Sequence, residues 1–598
     1  MDRRQFLRSS GFFVVAAATG EAFADPNDRD DRDDDAHFGR GRRLFPQGVA
    51  SGDPKQRSVV FWTRCLRADG RPLPVPVTLL VAADARFERV VARVPLLARA
   101  EFDHTVRVKL RELDPGRTYY YRFVAGPDAS PIGRTKTAPA RHAAITQVRF
   151  AWFNCQDWSV NHWAAMSMMA NEDYDFLVHV GDYIYETVGA SFQTGAAEPA
   201  HGPISLPDGT VLPGGARYAT TLADYRALYR TYRSDPRLQT LHARFPVIAT
   251  WDDHEFSDDS WQDHQTYTNG NPPQTARRRA ANQAWVENMP VDFGDVSFDS
   301  ASAAYDNLRI YRDFTFGSLV HLVMTDERLY RDDHVVPEAV IAQAQGHDPI
   351  NGSDSIGARY FIQQPVLRQF EAAKTAALGR APSILGASQT QWWKTTLKKS
   401  TATWKVWGNE LMLSRLWLDL RNQAPPPFDA LYVVNGDCWD GFPSHRAELM
   451  RFLKDEGIRN VVAVTGDLHA FQCGVVRDVP YPETGTPVLV DFVAAGISSS
   501  SFYSYVKAGA AGTPLAPLTS SPGQFDAVLR GNNPDFAYVD HDAQGYASAV
   551  VTPTSLVVTF NKVLPLNGDG TAPVSPLAKR TRITLLAGTT TPIVEDNV

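Results

Sequence analysis

Five short polar segments of the chain carry the residue types that bind metal ions in proteins. They are Asn154-Cys155-Gln156-Asp157, Gly181-Asp182-Tyr183-Ile184-Tyr185, Asp252-Asp253-His254-Glu255, Gly408-Asn409-Glu410 and Gly466-Asp467-Leu468-His469. Carboxylate and amide oxygens are hard ligands that suit calcium, whereas thiolate, phenolate and imidazole suit a transition metal. Two ions about 3.5–4 Å apart can generate hydroxide and stabilise an in-line displacement. The residue types therefore predict a hydrolytic centre with two or more metal ions.

Each of these segments directly follows a short apolar run with the character of a buried strand. The runs cover residues 148–153, 176–180, 245–251, 404–407 and 461–464, and a sixth run at 319–324 ends in Thr325-Asp326. Helical segments, for example at 163–171 and 444–455, separate them. A repeated order of strand, polar end and helix predicts an α/β layered fold, in which ligands bind at the carboxyl ends of the strands. We therefore expect the five polar segments to meet at one site.

The region upstream of these strands has a different pattern, with short strands bounded by turn residues. Runs rich in β-branched or aromatic residues lie at 59–62, 77–81 and 105–110. Leu113-Asp114-Pro115-Gly116 then precedes the tyrosine-rich run 118–123, as in the tyrosine corner of fibronectin-type sandwiches. The predicted domains are a small N-terminal β-sandwich at 45–137, a catalytic domain at 148–565 and a C-terminal tail at 566–598.

The N-terminus has the pattern of an export signal. Arg3-Arg4 precedes Phe6-Leu7, an apolar run at 11–20 and the small-x-small pattern Ala22-Phe23-Ala24. We predict a twin-arginine signal peptide at 1–24, with an ordinary amphipathic helix as the alternative. Residues 25–44, rich in Asp and Arg, are predicted to be a disordered spacer. The expected location is periplasmic or secreted, and the expected partner is the twin-arginine export machinery.

Composition limits the other possibilities. The chain has 598 residues, 43% hydrophobic and 21% charged, and a formal net charge of -7. That mild acidity gives no reason to expect a nucleic-acid-binding module, and no stretch is apolar and long enough to predict a transmembrane span. Four scattered cysteines are too few for a disulfide scaffold. Arg277-Arg278-Arg279 is predicted to lie on a solvated helix face.

The motifs together resemble those of a known enzyme family. Gly181-Asp182-x-x-Tyr185, Trp251-Asp252-Asp253-His254-Glu255 and Gly466-Asp467-x-His469 resemble the calcineurin-like metallophosphoesterases and, more narrowly, the alkaline phosphatase D (PhoD-like) family. Phe-Pro-Gln-Gly-Val-Ala-Ser-Gly-Asp-Pro at 45–54 and Trp-Asp-Gly-Phe-Pro at 439–443 agree with it. The resemblance implies a metallophosphoesterase-type α/β sandwich behind a fibronectin-like domain.

The resemblance also implies a metal set of ferric iron with one or more calcium ions. Carried over residue by residue, the iron ligands are Cys155, Asp182, Tyr185 and His469. Asp182 bridges to calcium, whose other ligands are Asp253, Asp467 and Asn409. His254 is expected to face the phosphate as a general acid or as an electrostatic stabiliser, together with Asp182 as a catalytic residue.

The expected activity is hydrolysis of small-molecule or lipid phosphate esters, as an alkaline phosphatase on monoesters, diesters or both, in which a metal-activated hydroxide attacks phosphorus in line. A phosphodiesterase or phospholipase D-type enzyme is the alternative within the class. A secreted, non-catalytic binding protein and a protein that holds metal only for stability are alternatives from other classes. An open coordination position would distinguish catalytic from structural metal.

Overall fold

The computed structural model describes residues 13–18, 43–190, 193, 195–212, 214–266, 270–345 and 359–598. Two large mixed sheets dominate these residues. In spatial order the first contains Phe13–Ala17, Thr105–Arg111, Ser58–Arg64, Val49–Lys55, Val247–Thr250, Phe176–Val180, Val148–Phe153, Gly545–Val551, Ser555–Val563, Leu577–Leu586 and Ile593–Asp596. The second contains Arg312–Phe316, Val320–Met324, Trp404–Gly408, Val461–Thr465, Pro487–Val493, Phe471–Arg477 and Phe536–Asp540.

Six strands, three from each sheet, end near one another and carry most of the polar segments of the sequence. We label them β1 (Val148–Phe153), β2 (Phe176–Val180), β3 (Val247–Thr250), β4 (Val320–Met324), β5 (Trp404–Gly408) and β6 (Val461–Thr465). β1, β2 and β3 are parallel neighbours in the first sheet, and β4, β5 and β6 are parallel neighbours in the second. Parallel pairing brings their carboxyl ends to one edge, as the sequence predicts.

The two sheets pack face to face, and alternate residues of each strand point into their shared core. Phe150 and Trp152 of β1 lie in this core with Val406 of β5 and Val462 of β6, whereas Phe153 points to the opposite face. Helices cover both outer faces. Their bounds are Ala164–Asn171, Leu222–Tyr232, Pro236–Arg244, Thr275–Asn288, Glu338–Gln345, Gln364–Leu378, Gly386–Lys399, Pro443–Asp455, Phe502–Ala510 and Pro522–Asn532. The α/β layered sandwich predicted from the sequence is confirmed.

Short elements complete the loops. Three-residue or longer 3₁₀ turns span Ala100–Phe102, Trp439–Gly441 and Ala516–Thr519. Small sheets pair Thr187–Val188, Arg217–Tyr218 and Thr210–Val211; Ser297–Phe298 and Leu308–Arg309; and Tyr360–Gln363, Leu431–Asn435 and Trp417–Asp419.

The N-terminal region forms the predicted β-sandwich. One of its sheets contains Val90–Ala98, Val75–Ala82, Thr118–Ala125 and Asp128–Ala129, with Gly133–Lys136 beside the third strand. The Tyr119 hydroxyl accepts a 2.9 Å hydrogen bond from the backbone N–H of Asp114, which is the contact of a tyrosine corner.

The other sheet of the N-terminal sandwich continues into the catalytic domain. Strand Val49–Lys55 pairs in parallel with β3, where Gly52 lies opposite Val247. A Cβ on Gly52 would lie 2.4 Å from the Pro290 carbonyl oxygen, so only glycine permits this approach. The sequence gives no local sign of this continuity between the two predicted domains.

Both ends of the chain contribute to the first sheet. The predicted tail at 566–598 contains the strands Leu577–Leu586 and Ile593–Asp596. Part of the predicted export signal, Phe13–Ala17, pairs in parallel with Thr105–Arg111. Arg3, Arg4 and the predicted spacer up to residue 42 lie outside the described residues. Within the described ranges, none of the helices combines the length and the apolar character that crossing a membrane requires.

The arginine run on helix Thr275–Asn288 is buried at Arg277 and Arg278, so the prediction of a solvated face was wrong for these two residues, whereas Arg279 is partly exposed. Arg277 and Arg278 are 5% and 1% exposed. Arg277 donates hydrogen bonds to the carbonyl oxygens of Ala219 and Phe256, and the Arg278 guanidinium lies 4.4 Å from the ring centroid of Trp251. Carbonyl oxygens from other elements accept hydrogen bonds from Arg277, whereas the buried guanidinium of Arg278 has aromatic faces beside it and no hydrogen-bond partner among the described residues.

Candidate metal centre

The candidate ligands lie on sharp backbone turns at the ends of the parallel strands. Cys155, Asp182, Asp467 and His469 have φ angles of 50°, 55°, 62° and 58°. Residues with a Cβ avoid this left-handed region, and each such position costs about 1–3 kcal/mol. Glycine would remove that strain, but it has no side chain. The strained residues therefore indicate that these positions need their side chains.

Among the residues that the structure describes, four overlapping groups of side chains could each hold a metal ion, with their ligand atoms within 4.8 Å of one another. The groups are Cys155, Asp182 and His469; Asp182, Asp253 and His254; Asp252, Asp253 and Asp467; and Asp253, Asp258 and Asp259. Asp182 and Asp253 occur in more than one group. The arrangement can therefore hold neighbouring ions with a carboxylate between them.

Tyr185 lies beside the first group. Its hydroxyl is 3.3 Å from Nε2 of His469 and 2.7 Å from Oγ of Ser499. Nδ1 of His469 donates a 2.7 Å hydrogen bond to the carbonyl oxygen of Ser500. Because that bond fixes the proton on Nδ1, the lone pair of Nε2 is available to a metal. Burial lowers the pKa of His469 to about 4, which keeps the imidazole neutral.

The thiol and phenol of the first group, with Tyr185 included, can bind as anions only beside a strongly charged cation. Burial, followed by the charge of Asp182, raises the pKa of the Cys155 thiol and of the Tyr185 phenol well above their ordinary values. Burial also raises the pKa of Asp182 well above its ordinary value, and Asp182 Oδ1 has no hydrogen-bond partner among the described residues. A buried oxygen without a partner calls for an explanation, and a cation would supply one. The donor set therefore fits a metal ion.

Glu255 links two of the strand ends. Its Oε2 accepts hydrogen bonds from the backbone N–H of Asp182 at 3.0 Å and of Asp252 at 2.8 Å, and its Oε1 accepts one from Tyr183 at 2.7 Å. The turn after β2 and the turn after β3 are thus fixed by one carboxylate. Sequence reasoning placed Glu255 in the motif but did not identify this role.

His254 faces the same pocket as the candidate ligands. Its Nδ1 donates a 2.7 Å hydrogen bond to Oε2 of Glu186, and its ring packs against Tyr185 with centroids 4.2 Å apart. Burial alone would lower the pKa of His254, but the charges of Asp253, Glu186 and Asp182 overcome it and raise the pKa well above its ordinary value. The imidazole is therefore suited to carry a proton to the pocket.

Asn409 makes its side-chain contacts away from this pocket. Its amide oxygen accepts a 3.0 Å hydrogen bond from Nε1 of Trp439, and its amide nitrogen donates to the Leu411 carbonyl and to Oγ1 of Thr465. These contacts account for its burial without a metal. Calcium coordination by Asn409 stays a prediction.

Sequence reasoning missed the arginine at the centre of the acidic groups. The Arg328 side chain, which follows β4, is completely buried and forms ion pairs with Asp252 and Asp437. A single arginine after a strand gives no local sign of its partners, because they come from three other elements.

The pocket in front of these groups has about 650 Å³ of open space. Its lining includes candidate ligands and His254 as well as the aromatic side chains of Tyr360, Phe502 and Tyr505. A lining that combines acidic and aromatic side chains suits a ligand with a metal-binding anionic group and a larger substituent.

Comparison with known proteins finds similarity over most of the chain. Residues 150–560 match the family described as PhoD-like phosphatase, and residues 32–139 match the family described as PhoD-like phosphatase, N-terminal domain. The chain is 31% identical over 549 residues to alkaline phosphatase D of Bacillus subtilis (strain 168), which covers 89% of this chain and 80% of the relative. A solved structure titled "Structure of PhoD" is 26% identical, with a TM-score of 0.72, covering 93% of this chain and 92% of the other.

Proposed function

The chain belongs to the PhoD-like phosphatase family and is a hydrolase of phosphoric esters, and we propose that it works outside the cytoplasm with iron and calcium. One observation carries this proposal: Cys155, Asp182 and His469 form one potential metal group, and Asp182 and Asp253 together belong to the next. Two adjacent groups with different donor chemistry favour two different ions.

The proposed iron ligands are Cys155, Asp182, Tyr185 and His469. A thiol and a phenol whose pKa values are raised by burial become ligands only beside a strongly acidic ion, and ferric iron is such an ion whereas calcium is not. The proposed calcium ligands are the oxygen donors Asp253 and Asp467, with Asp182 shared between the ions. When bound, the metals supply Lewis acidity and positive charge for in-line displacement at phosphorus.

The chain's own residues would orient the ester and supply the proton. His254, oriented by Glu186, faces the pocket and would donate a proton from its ring to the leaving oxygen. Glu255 fixes the backbone that presents Asp182, so the ligand keeps its position when substrate enters. No side chain is needed as a nucleophile in this scheme.

The aromatic part of the pocket favours a second candidate, phosphodiester hydrolysis. A diester carries two substituents on phosphorus, and Tyr360, Phe502 and Tyr505 offer apolar surface for one of them. The assay therefore compares an aryl phosphate monoester with the matched bis-aryl diester. A calcium chelator should abolish both activities, and a protein that remains fully active after calcium removal would contradict the calcium assignment.

The iron assignment has a spectroscopic test. Phenolate and thiolate on ferric iron should give visible charge-transfer absorption, and elemental analysis should find iron. Tyr185→Phe should shift or remove a band and lower activity, with the fold intact. Tyr183→Phe is the matched control, because the Tyr183 hydroxyl contacts His242 at 2.8 Å instead. A colourless, iron-free protein whose Tyr185→Phe variant is fully active would contradict the iron site.

The export proposal rests on the N-terminal sequence. Replacing Arg3 and Arg4 by lysine should retain the precursor in the cytoplasm, because the twin-arginine pair is the recognised signal. Fractionation followed by immunodetection measures the result. Unchanged export would show that another route suffices.

A further inference from the structure

Arg328 is a buried cation surrounded by acidic side chains from different strand ends. Its Nε donates to Oδ1 of Asp252, and its Nη1 lies 2.7 Å from Oδ2 of Asp437. Its Nη2 lies 3.4 Å from Oδ1 of Asp467 and 3.6 Å from Oδ1 of Asp253. The Arg328 side chain has 0% exposed surface. One guanidinium thus contacts acidic residues that belong to both large sheets.

The backbone of Arg328 is fixed by contacts that do not involve these four acidic residues. Oδ1 of Asp326 accepts hydrogen bonds from the backbone N–H of Arg328 at 3.2 Å and of Leu329 at 3.0 Å. The same oxygen accepts a 2.9 Å hydrogen bond from Nε1 of Trp251. The turn after β4 therefore directs Arg328 to the acidic residues whether or not a metal is bound.

Arg328 contributes positive charge to a group of closely spaced carboxylates. Asp252, Asp253 and Asp467 form one of the four potential metal groups, so their oxygens lie close together. Three carboxylates at this spacing repel one another strongly when water is excluded. Arginine keeps its proton in proteins, so Arg328 brings a permanent positive charge to the group. Counted together with Asp437 and its second partner Arg331, the carboxylates and guanidinium groups keep a net negative charge that one divalent cation would balance.

We propose that Arg328 is a positioning residue that acts as a built-in counter-cation: its charge lets the acidic group fold before calcium is bound and, through the same charge, weakens calcium binding. The inference rests on the proposed function, since it takes Asp253 and Asp467 as calcium ligands. Arg328 would touch neither the substrate nor the reacting atoms. Its consequence is a protein that is folded without calcium and binds calcium less tightly than its carboxylates alone would.

Arg331 provides a matched control a few residues away. Its side chain is also 0% exposed, and its guanidinium contacts Asp437, with Nη1 2.9 Å from Oδ1. Its polar contacts in the described part of the chain are to Asp437 and do not include Asp253 or Asp467. Replacing either arginine removes one buried positive charge beside Asp437. Only the change at Arg328 also removes a positive charge beside the proposed calcium ligands.

The experiment compares full-length wild type, Arg328→Gln and Arg331→Gln after calcium removal. Thermal unfolding is followed while calcium is added, and calorimetry gives the calcium dissociation constant. We expect calcium-free Arg328→Gln to unfold at a lower temperature than wild type. Adding calcium should raise its unfolding temperature by more than that of wild type. Its calcium dissociation constant should be at least tenfold lower than that of wild type. Arg331→Gln should respond to calcium as wild type does.

The outcomes separate this inference from the proposed function. If calcium does not stabilise wild type, the proposed calcium site fails. If calcium stabilises all three proteins equally, the site stands and the role of Arg328 is refuted. If Arg328→Gln does not fold in either condition, Arg328→Lys decides. Calcium-free Arg328→Lys should unfold within a few degrees of wild type, because it keeps the charge, and a variant as defective as Arg328→Gln would overturn the inference.

Discussion

Replacing Glu186 by glutamine removes the charge beside His254 while keeping the shape of the side chain. In the structure Oε2 of Glu186 accepts a 2.7 Å hydrogen bond from Nδ1 of His254, and Oε1 accepts a 2.9 Å bond from the backbone N–H of Asp258. A glutamine oxygen can keep only one of these bonds. If it keeps the bond to Asp258, its amide nitrogen faces Nδ1, which must then be an acceptor. The variant therefore favours a neutral imidazole with the wrong tautomer.

The size of the effect follows from the kind of hydrogen bond that is lost. Bonds to charged groups contribute about 1.5–3 kcal/mol, and Glu186 is completely buried. If that energy is used to keep His254 protonated in the enzyme–substrate complex until it donates its proton, kcat should fall by a factor of about 10–150. Because Glu186 is one of the charges that raise the pKa of His254, the alkaline limb of the pH–kcat profile should also move to lower pH.

A double-mutant cycle with His254→Ala tests this reasoning. Initial rates on an aryl phosphate give kcat for wild type, each single variant and the pair. Glu186→Gln should have little further effect in the His254→Ala background, since it acts through His254. Two results would refute the argument: a kcat and pH profile equal to those of wild type, or an equal loss in both backgrounds. The second would indicate that Glu186 acts on the pocket by another path, such as the Asp258 backbone.

Three further predictions concern the metal ligands, the sheet interior and the leader. Asp182→Asn should lower both iron and calcium content in elemental analysis and reduce kcat by about 10²–10³-fold or more, because Asp182 belongs to two potential metal groups; Asn409→Ala should lower calcium content alone, as the predicted calcium coordination requires, and unchanged calcium content would refute Asn409 as a ligand. Glu410→Gln should lose less stability than wild type between pH 6 and pH 9 in denaturant unfolding. Glu410 accepts a 2.7 Å hydrogen bond from the Glu327 backbone, and burial raises the pKa of Glu327 to about 8 and that of Glu410 well above its ordinary value; a raised carboxyl pKa means that stability is lost as pH rises through it. Deleting residues 1–24 should leave the fold intact and lower unfolding free energy by no more than about 3 kcal/mol, since Phe13 is the one residue of strand Phe13–Ala17 that is fully buried.

The strand ends could be predicted from the sequence because both signals are local. An apolar run of four to seven residues followed by a polar turn defines each end, and Val148–Phe153, Phe176–Val180 and Val461–Thr465 lie where three of those runs are. The positions of Cys155, Asp182 and His469 follow from the strands, since parallel pairing puts their ends on one edge. The part of the site that depends only on where the parallel strands end was therefore predictable.

The partners of isolated charged residues could not be predicted in the same way. Arg278 is surrounded by Trp251 and Phe256, and Arg328 by acidic residues far apart in the sequence. A local pattern of arginines on a helix looks the same whether neighbouring elements cover it or not. Asn409 is a polar residue at a strand end, yet its amide oxygen accepts a hydrogen bond from the buried Trp439. The sequence pattern does not distinguish such a contact from a metal ligand.

The candidate metal centre combines three features that each oppose folding, and protein groups compensate two of them. Left-handed turns at Cys155 and Asp182 strain the backbone, and Glu255 offsets this with hydrogen bonds to the turn of Asp182 and to that of Asp252. Close carboxylates repel one another, and Arg328 and His254 place positive charge among them. Asp182 Oδ1 is buried without a hydrogen bond in the described chain, and this last deficit has no compensation from protein groups. A site whose backbone and charges are already compensated, but whose Asp182 Oδ1 is not, is organised to bind a cation at Asp182 without having to refold around it.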